Sequence, residues 1–262
     1  RSTPKPSSAA SDVYKRQRFG KVVDDPIRHP APPFDYRTPD GYEFFLNLGS
    51  LENIDERYFK GDITFWKDLT EHDTYDDFWK ERNILNHLQG IRPAVMTVGG
   101  WFDAEDLYGP LEVYRRVESG GDGHNILVMG PWAHGTWAEK VGERLGHVDF
   151  HAKTSEYYRR HMELPFFLHH LKDGPDPNLP EAFVFETGTN QWRRYNAWPP
   201  KNAVETSFYL YGGGKLGMEP PAGSEESAFD EYLSDPNRPV PYIANISTRM
   251  TREHMVDEQR FA

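Results

Sequence analysis

The apolar positions change their rhythm twice along the chain, and each change marks a different kind of structure. From Thr38 to about Glu81 the spacing is helical. Tyr42, Phe45, Leu46 and Gly49 fall at i, i+3, i+4 and i+7; Phe65, Trp66 and Leu69 repeat the pattern, as do Tyr75, Phe78 and Trp79, with acidic residues on the other faces. This predicts short aromatic-faced helices, as in a small cap. At Pro93 the period changes: PAVMTVG at 93–99 is a short apolar run ending in a glycine pair, and NILVMG at 125–130 is another. Helical patterns at 106–117 and 154–172 follow these runs, the second with Thr154 as N-cap and Gly174 just past its end. Apolar strands without polar alternation, each followed by a helix, predict parallel strands covered on both faces.

After Pro180 the helical signal disappears. AFVF at 182–185 and SFYLY at 207–211 read as short strands between Gly- and Pro-rich turns, the last of them Gly212, Gly213 and Gly214. That predicts the start of an all-β unit, expected to be truncated before a sandwich closes. At the other end, residues 1–19 show no periodicity. The stretch SSAASDVYKRQ resembles a translated sequencing adapter at the broken end of a gene, the alternative being a disordered tail. The expected organisation is therefore a non-native or disordered tail at 1–19, a helical cap region at 20–92, the C-terminal part of an α/β core at 93–178, and a β unit at 179–262. On this reading the gene begins upstream, and the surviving strands are expected to leave an edge unpaired, which makes independent folding doubtful.

Composition narrows the chemistry. The net charge of −11 argues against nucleic acid as a partner, since phosphate binding needs a basic face. The absence of cysteine excludes disulfides, thiol nucleophiles and Cys-ligated zinc. No apolar run reaches the roughly 20 residues of a membrane-spanning helix.

Two polar residues stand where an open α/β sheet places its chemistry, just beyond the carboxyl ends of strands. Asp103 follows the first apolar run in GGWFDAED, and His134 follows the second in MGPWAHG. A carboxylate bonded to one imidazole nitrogen fixes the tautomer, and the other nitrogen can then take a proton from a serine hydroxyl. The order Asp before His is that of α/β hydrolases, in which the serine comes earlier, on a G-x-S-x-G elbow. That elbow is missing: Ser50 and Ser119 lie in LGSLE and VESGG, and no other serine fits. An aspartate after a strand can equally be a turn or helix cap, so spacing alone leaves both readings open.

GGWFDAEDLYGPL and ILVMGPWAHGTW resemble the Asp and His motifs of the CocE/NonD, X-Pro dipeptidyl-peptidase-like (S15) hydrolases, most closely the α-amino acid ester hydrolases and glutaryl-cephalosporin acylases. LTEHDTYDDFW at 69–79, PFFLHHLKDG at 165–174, TGTNQWRRYNAWPP at 187–200 and YLYGGGKLGMEPP at 209–221 fit the same pattern, as do EYLSDPNRPVPY at 231–242 and the ending DEQRFA. The resemblance covers roughly residues 38–262. It implies the C-terminal part of an α/β-hydrolase domain with a helical cap, followed by a truncated jelly-roll domain. It further implies Asp103 as triad acid, His134 as triad base, and Glu105 with Asp106 as carboxylates holding a substrate's α-ammonium group. The plainer role for Glu105 and Asp106 is to complement the dipole of the following helix, and the two roles are compatible.

The expected partner is then a small ester or amide bearing an α-amino group, with no cofactor or metal and with neither nucleic acid nor membrane; the parent is expected to form a homo-oligomer and to work in the periplasm or outside the cell. An X-Pro dipeptidyl-peptidase or a cocaine-esterase-like hydrolase is the alternative enzyme. A carbohydrate- or protein-binding module is the non-enzyme reading of the aromatic β segment. Trp101 and Trp132, two residues before Asp103 and His134, are expected in the core rather than in an acyl pocket. Trp192 and Trp198 are expected to pack the β segment on the core. His169 and His170, adjacent on a helix, point apart and do not suit a shared metal. Asn245 begins an N-glycosylation triplet that carries no weight without a secretory context. With no nucleophile in place, a fluorophosphonate serine probe is expected to leave these 262 residues unlabelled; strong labelling would reveal a reactive serine.

Overall fold

The computed structural model describes residues 34–121, 123–139, 141–221, 229–241, 243–249 and 256; the adapter-like stretch lies outside the described residues. The chain enters through helices. Asp40 caps α1 (Gly41–Leu48), its carboxylate accepting from the backbone N–H groups of Tyr42 and Glu43, and Gly49 ends it with φ of 71°. The buried face is Gly41, Phe44 and Leu48, one position off the expected Tyr42, Phe45 and Gly49. Two neighbours decide this. Phe44 meets Phe34, Tyr36 and Tyr58 edge-on or tilted, and Leu48 joins Ile54, Phe59, Ile63 and Trp66 in a small core. Trp66 and Leu69 on α2 (Thr64–Glu71) pack there as the spacing predicts. Tyr75 does not: it is exposed and precedes α3 (Asp77–Glu81).

Next comes a mixed four-stranded sheet, its first two strands followed across the sheet by two that come later in the chain. Strand β1 (Val95–Gly100) pairs in parallel with β2 (Asn125–Gly130), from Val95 opposite Asn125 to Gly100 opposite Gly130. Helix α4 (Tyr108–Gly120) connects them. Every residue of β2 is buried, and its side chains alternate between two cores. Leu127 and Met129 meet Tyr114 of α4, while Ile126 and Val128 meet Tyr158, Met162 and Phe166 of the helix beyond β2. The expected double covering is present. Among the described residues β1 is the outermost strand and most of it is only half-buried, whereas β2 is buried throughout as expected.

After β2 come a short helix, α5 (Thr136–Glu139), and a small ribbon, β3 (Arg144–Leu145) with β4 (Val148–Asp149). The predicted helix at 154–172 forms as α6 (Thr154–Tyr158), a widened π-turn at Arg159–Glu163, and α7 (Leu164–Lys172). Pro165 sits at the start of α7. It has no N–H for an i→i−4 bond and its ring would crowd the carbonyl four residues back, and the wider turn before it relieves both demands. Thr154 is not the N-cap. It is fully buried, its hydroxyl accepts from the Trp132 indole N–H at 2.9 Å and donates to the Gly142 carbonyl at 2.6 Å. Asp173, in the left-handed region at φ 52°, closes the helix, with Gly174 N–H bonded back to the Leu168 carbonyl.

The strand expected at 182–185 forms, and it joins the sheet already described. β5 (Ala182–Glu186) pairs in parallel with β2, and β6 (Gln191–Tyr195) pairs antiparallel with β5, so both extend the α/β sheet. An all-apolar strand next to a short turn carries no local mark of which sheet it will join. Trp192 on β6 packs on Trp132, and Trp198 lies against Trp101, as expected of packing residues. Beyond them a hairpin, β7 (Tyr209–Tyr211) and β8 (Lys215–Gly217), turns at Gly213 and Gly214, whose N–H groups both donate to the Asp230 carboxylate.

Replacing Thr154 with the isosteric valine strands a buried indole N–H. The expected cost is about 1–3 kcal/mol, read as a lower urea midpoint at unchanged slope.

Candidate functional site

The loops after β1 and β2 are laced together before either reaches its functional residue. Trp101 N–H donates to the Gly130 carbonyl at 2.9 Å, and Phe102 N–H to the Trp132 carbonyl at 3.0 Å. Such closeness excludes side chains. A Cβ on Gly100 would stand 2.1 Å from the Trp132 carbonyl oxygen, and one on Gly130 would fall within 2.5 Å of the Trp132 ring. The glycines ending the two strands are thus the local reason the loops meet.

Asp103 follows, 3% exposed. One carboxylate oxygen accepts from the N–H groups of Glu105 and Asp106 at 2.9 and 3.0 Å; the other faces His134 Nδ1 at 2.9 Å. An ionised carboxylate only accepts, so Nδ1 carries the proton and Nε2 of a neutral His134 is the basic nitrogen. The structure therefore brings the two predicted residues into the geometry that orients an imidazole. His134 is 42% exposed at its side chain, which leaves it accessible to a substrate.

Glu105 lies on the other side of the ring, its carboxylate 3.9 Å from Nε2. Asp106 accepts from Gly109 N–H at 2.8 Å in the first turn of α4. So the helix-end role exists for Asp106, while Glu105 is turned to the imidazole. Both Asp103 and Asp106 line a pocket of about 500 Å³ with His134. Sequence reasoning missed most of its wall: Asn83, Ile84 and Leu85 from the helical region, Thr97 and Val98 of β1, Tyr108, Val113, and Trp137, whose ring centroid is 6.4 Å from that of His134. Only the glycine pair at 99–100 hinted at a close approach here.

Trp132 is buried core, and the Trp101 indole N–H donates to the Phe185 carbonyl, so both pack as expected. His169 bonds the Gly174 carbonyl, and His170 lies against His124 and Phe166, its pKa lowered by burial. Among the described residues no group of three or more His, Asp or Glu is arranged to hold a metal ion. Ser50 accepts from Glu52 N–H and Ser119 donates to the Arg116 carbonyl, and neither lines the pocket that holds His134.

Comparison with known proteins shows what the chain as a whole is similar to. Residues 37–136 match the family model described as X-Pro dipeptidyl-peptidase (S15 family), and residues 177–259 match the C-terminal non-catalytic domain of X-Pro dipeptidyl-peptidase. The chain is 27% identical over 184 residues to a cocaine esterase from Rhodococcus sp. (strain MB1 Bresler), a match covering 67% of this chain and 31% of that protein. Its fold matches an aminopeptidase from a marine sediment archaeon (Thaumarchaeota archaeon) with a TM-score of 0.81 and 31% identity over 96% of this chain. It also matches a selenomethionine-labelled α-amino acid ester hydrolase with a TM-score of 0.80 and 30% identity over 94% of this chain. The chain spans 41% of each of these two solved proteins.

Asp103→Asn keeps an acceptor for the two backbone N–H groups but turns an amide N–H₂ toward Nδ1. The His134 proton is then expected to move to Nε2, read as exchanged ¹⁵N shifts of the two ring nitrogens.

Proposed function

Because the chain belongs to the CocE/NonD, X-Pro dipeptidyl-peptidase-like family of hydrolases, we propose that Asp103 and His134 are its catalytic acid and base, and that its substrates are α-amino acid esters or related amides. The family acts as serine esterases and S15 peptidases. In this reading the nucleophile is a serine supplied by the protein outside these 262 residues. His134 Nε2 takes the serine proton as the oxygen attacks the substrate carbonyl. It returns that proton to the leaving alkoxide or amine as the acyl-enzyme forms, and water then repeats the cycle. Asp103 holds Nδ1–H in place and stabilises the imidazolium without taking the proton. The steps call on no metal or organic cofactor.

The observation that carries the reading is the 2.9 Å Asp103–His134 pair with a second carboxylate, Glu105, 3.9 Å from the opposite ring nitrogen. Glu105 and Asp106 beside a pocket walled by Ile84, Leu85, Val113 and Trp137 suit a substrate with an ammonium group and an apolar side chain. Two of the similar proteins, an aminopeptidase and an α-amino acid ester hydrolase, are named for substrates with an α-amino group. An X-Pro dipeptidyl-peptidase reads the same ammonium but requires a proline-linked peptide, and a cocaine-esterase-like enzyme would make no use of it.

The test uses the complete protein with an α-amino acid methyl ester, its analogue lacking the amine, and an X-Pro dipeptide amide. His134→Ala is expected to lower kcat/KM by about 10³-fold or more on any substrate that is turned over. Glu105→Gln is expected to cost about tenfold, roughly 1.4 kcal/mol, on the amine-bearing ester alone. Activity within a few-fold of wild type in His134→Ala removes the catalytic assignment, and equal losses on both esters remove the ammonium role.

A further inference from the structure

One stretch of the family-like sequence remains unexplained by the site, the run LTEHDTYDDFW at 69–79, and its side chains converge to an unusual degree. The Asp76 carboxylate lies 2.5 Å from His72 Nδ1, and this bond holds its pKa below the usual carboxylate value, so it is an ionised acceptor at neutral pH. The His72 ring stacks on Phe78 with centroids 4.3 Å apart and planes 6° from parallel. The Arg82 guanidinium carbon is 3.6 Å from the Phe78 centroid. Two groups so close cannot share one face of a ring, so imidazole and guanidinium sandwich Phe78 between them. Trp79 Nε1 donates to the His72 carbonyl at 2.6 Å, and Arg82 to the Phe78 carbonyl at 2.8 Å.

These contacts lead directly to the pocket. Asn83 Nδ2 donates to the Tyr75 hydroxyl at 2.7 Å while Asn83 Oδ1 accepts from Leu85 N–H at 3.0 Å, and Asn83, Ile84 and Leu85 line the cavity that holds His134. Hydrophobic burial holds this segment only in part, with Phe78, Trp79 and Leu85 half-buried. Helix α3 has five residues, no buried member and no side-chain cap, and the short 3₁₀ turn Ile84–His87 has no buried residue either. A helix that short is unstable by itself. The polar and stacking cross-links add the order that partial burial leaves incomplete.

We propose that His72 and Tyr75 are positioning residues: His72 through the Asp76–His72–Phe78–Arg82 stack, and Tyr75 through Asn83, together fix the Asn83–Leu85 wall of the pocket beside His134. The wall's place in an active site rests on the hydrolase reading above; the clamp itself does not, and its test needs no turnover.

The measurement is amide hydrogen exchange on the complete protein with His72→Phe, which keeps a ring for stacking but removes the bond to Asp76, and Tyr75→Phe, which removes one exposed hydroxyl. Exchange at residues 84–88 is expected to rise at least several-fold in each variant, while β2 stays protected as in wild type. A strongly downfield imidazole proton is expected in wild type and absent from Asp76→Asn, a signature that packing alone does not produce. Wild-type exchange at 84–88 in both variants overturns the proposal, and wild-type exchange in one removes that residue from it. A downfield proton that persists in Asp76→Asn overturns the stack's polar anchor.

Discussion

The in-register pairing of β1 with β2, continued by backbone bonds into the loops beyond, is the constraint on which the rest of this structure depends. Gly100 stands opposite Gly130, and the next residues are tied by Trp101 N–H to the Gly130 carbonyl and Phe102 N–H to the Trp132 carbonyl. Asp103 and His134 lie three and four positions beyond that last pair of glycines, so two residues 31 apart in sequence meet at 2.9 Å. A slip of register would carry the carboxylate away from the imidazole. Larger residues at the two glycines would force the loops apart. The acid–base pair is thus a product of strand pairing and of glycine, before any question of its chemistry arises.

Packing secures that pairing from both faces. The alternation of β2 sends Leu127 and Met129 to α4, and Ile126 and Val128 to the helix that runs from Thr154. Polar anchors lock the layers. Asn125 bonds the Tyr114 carbonyl and Glu118 of α4, Tyr114 bonds Glu181 just before β5, and Thr154 joins Trp132 to the Gly142 carbonyl. Burial and the Glu181 bond both push the Tyr114 phenol above its usual pKa, so it is a donor to Glu181 at neutral pH. The architecture is an α/β-hydrolase core followed by a β segment, and the helical region ahead of it contributes part of the pocket wall.

Three carboxylates within four residues serve distinct ends. Asp103 uses both oxygens, one to close the loop on the N–H groups of Glu105 and Asp106, the other to hold His134. Asp106 bonds the first turn of α4, and Glu105 faces the ring nitrogen that Asp103 leaves open. The same short segment therefore ends a strand, begins a helix and charges a pocket. Such economy explains why structural and functional readings of these residues need not compete.

Local pattern was enough for the elements that carry their own reasons. The unbroken apolar runs announced β1 and β2, the helical spacing announced α4 and the long helix, and the strand-end positions of Asp103 and His134 pointed to an acid and a base on one edge. Sequence alone could not say that Phe44 rather than Phe45 would be buried, because the choice was made by Phe34, Tyr36 and Tyr58 arriving from elsewhere in the chain. Nor could it assign β5 and β6 to the α/β sheet, since an apolar strand pairs with whichever edge the fold presents. Thr154, read locally as a cap, became a buried bridge because Trp132 reached it across 22 residues. For the acid–base pair, sequence supplied the residue types and their order. Tertiary structure decided that they touch, which carboxylate faces which nitrogen, and what walls the space around them, because those are matters of distance between segments that no local spacing encodes.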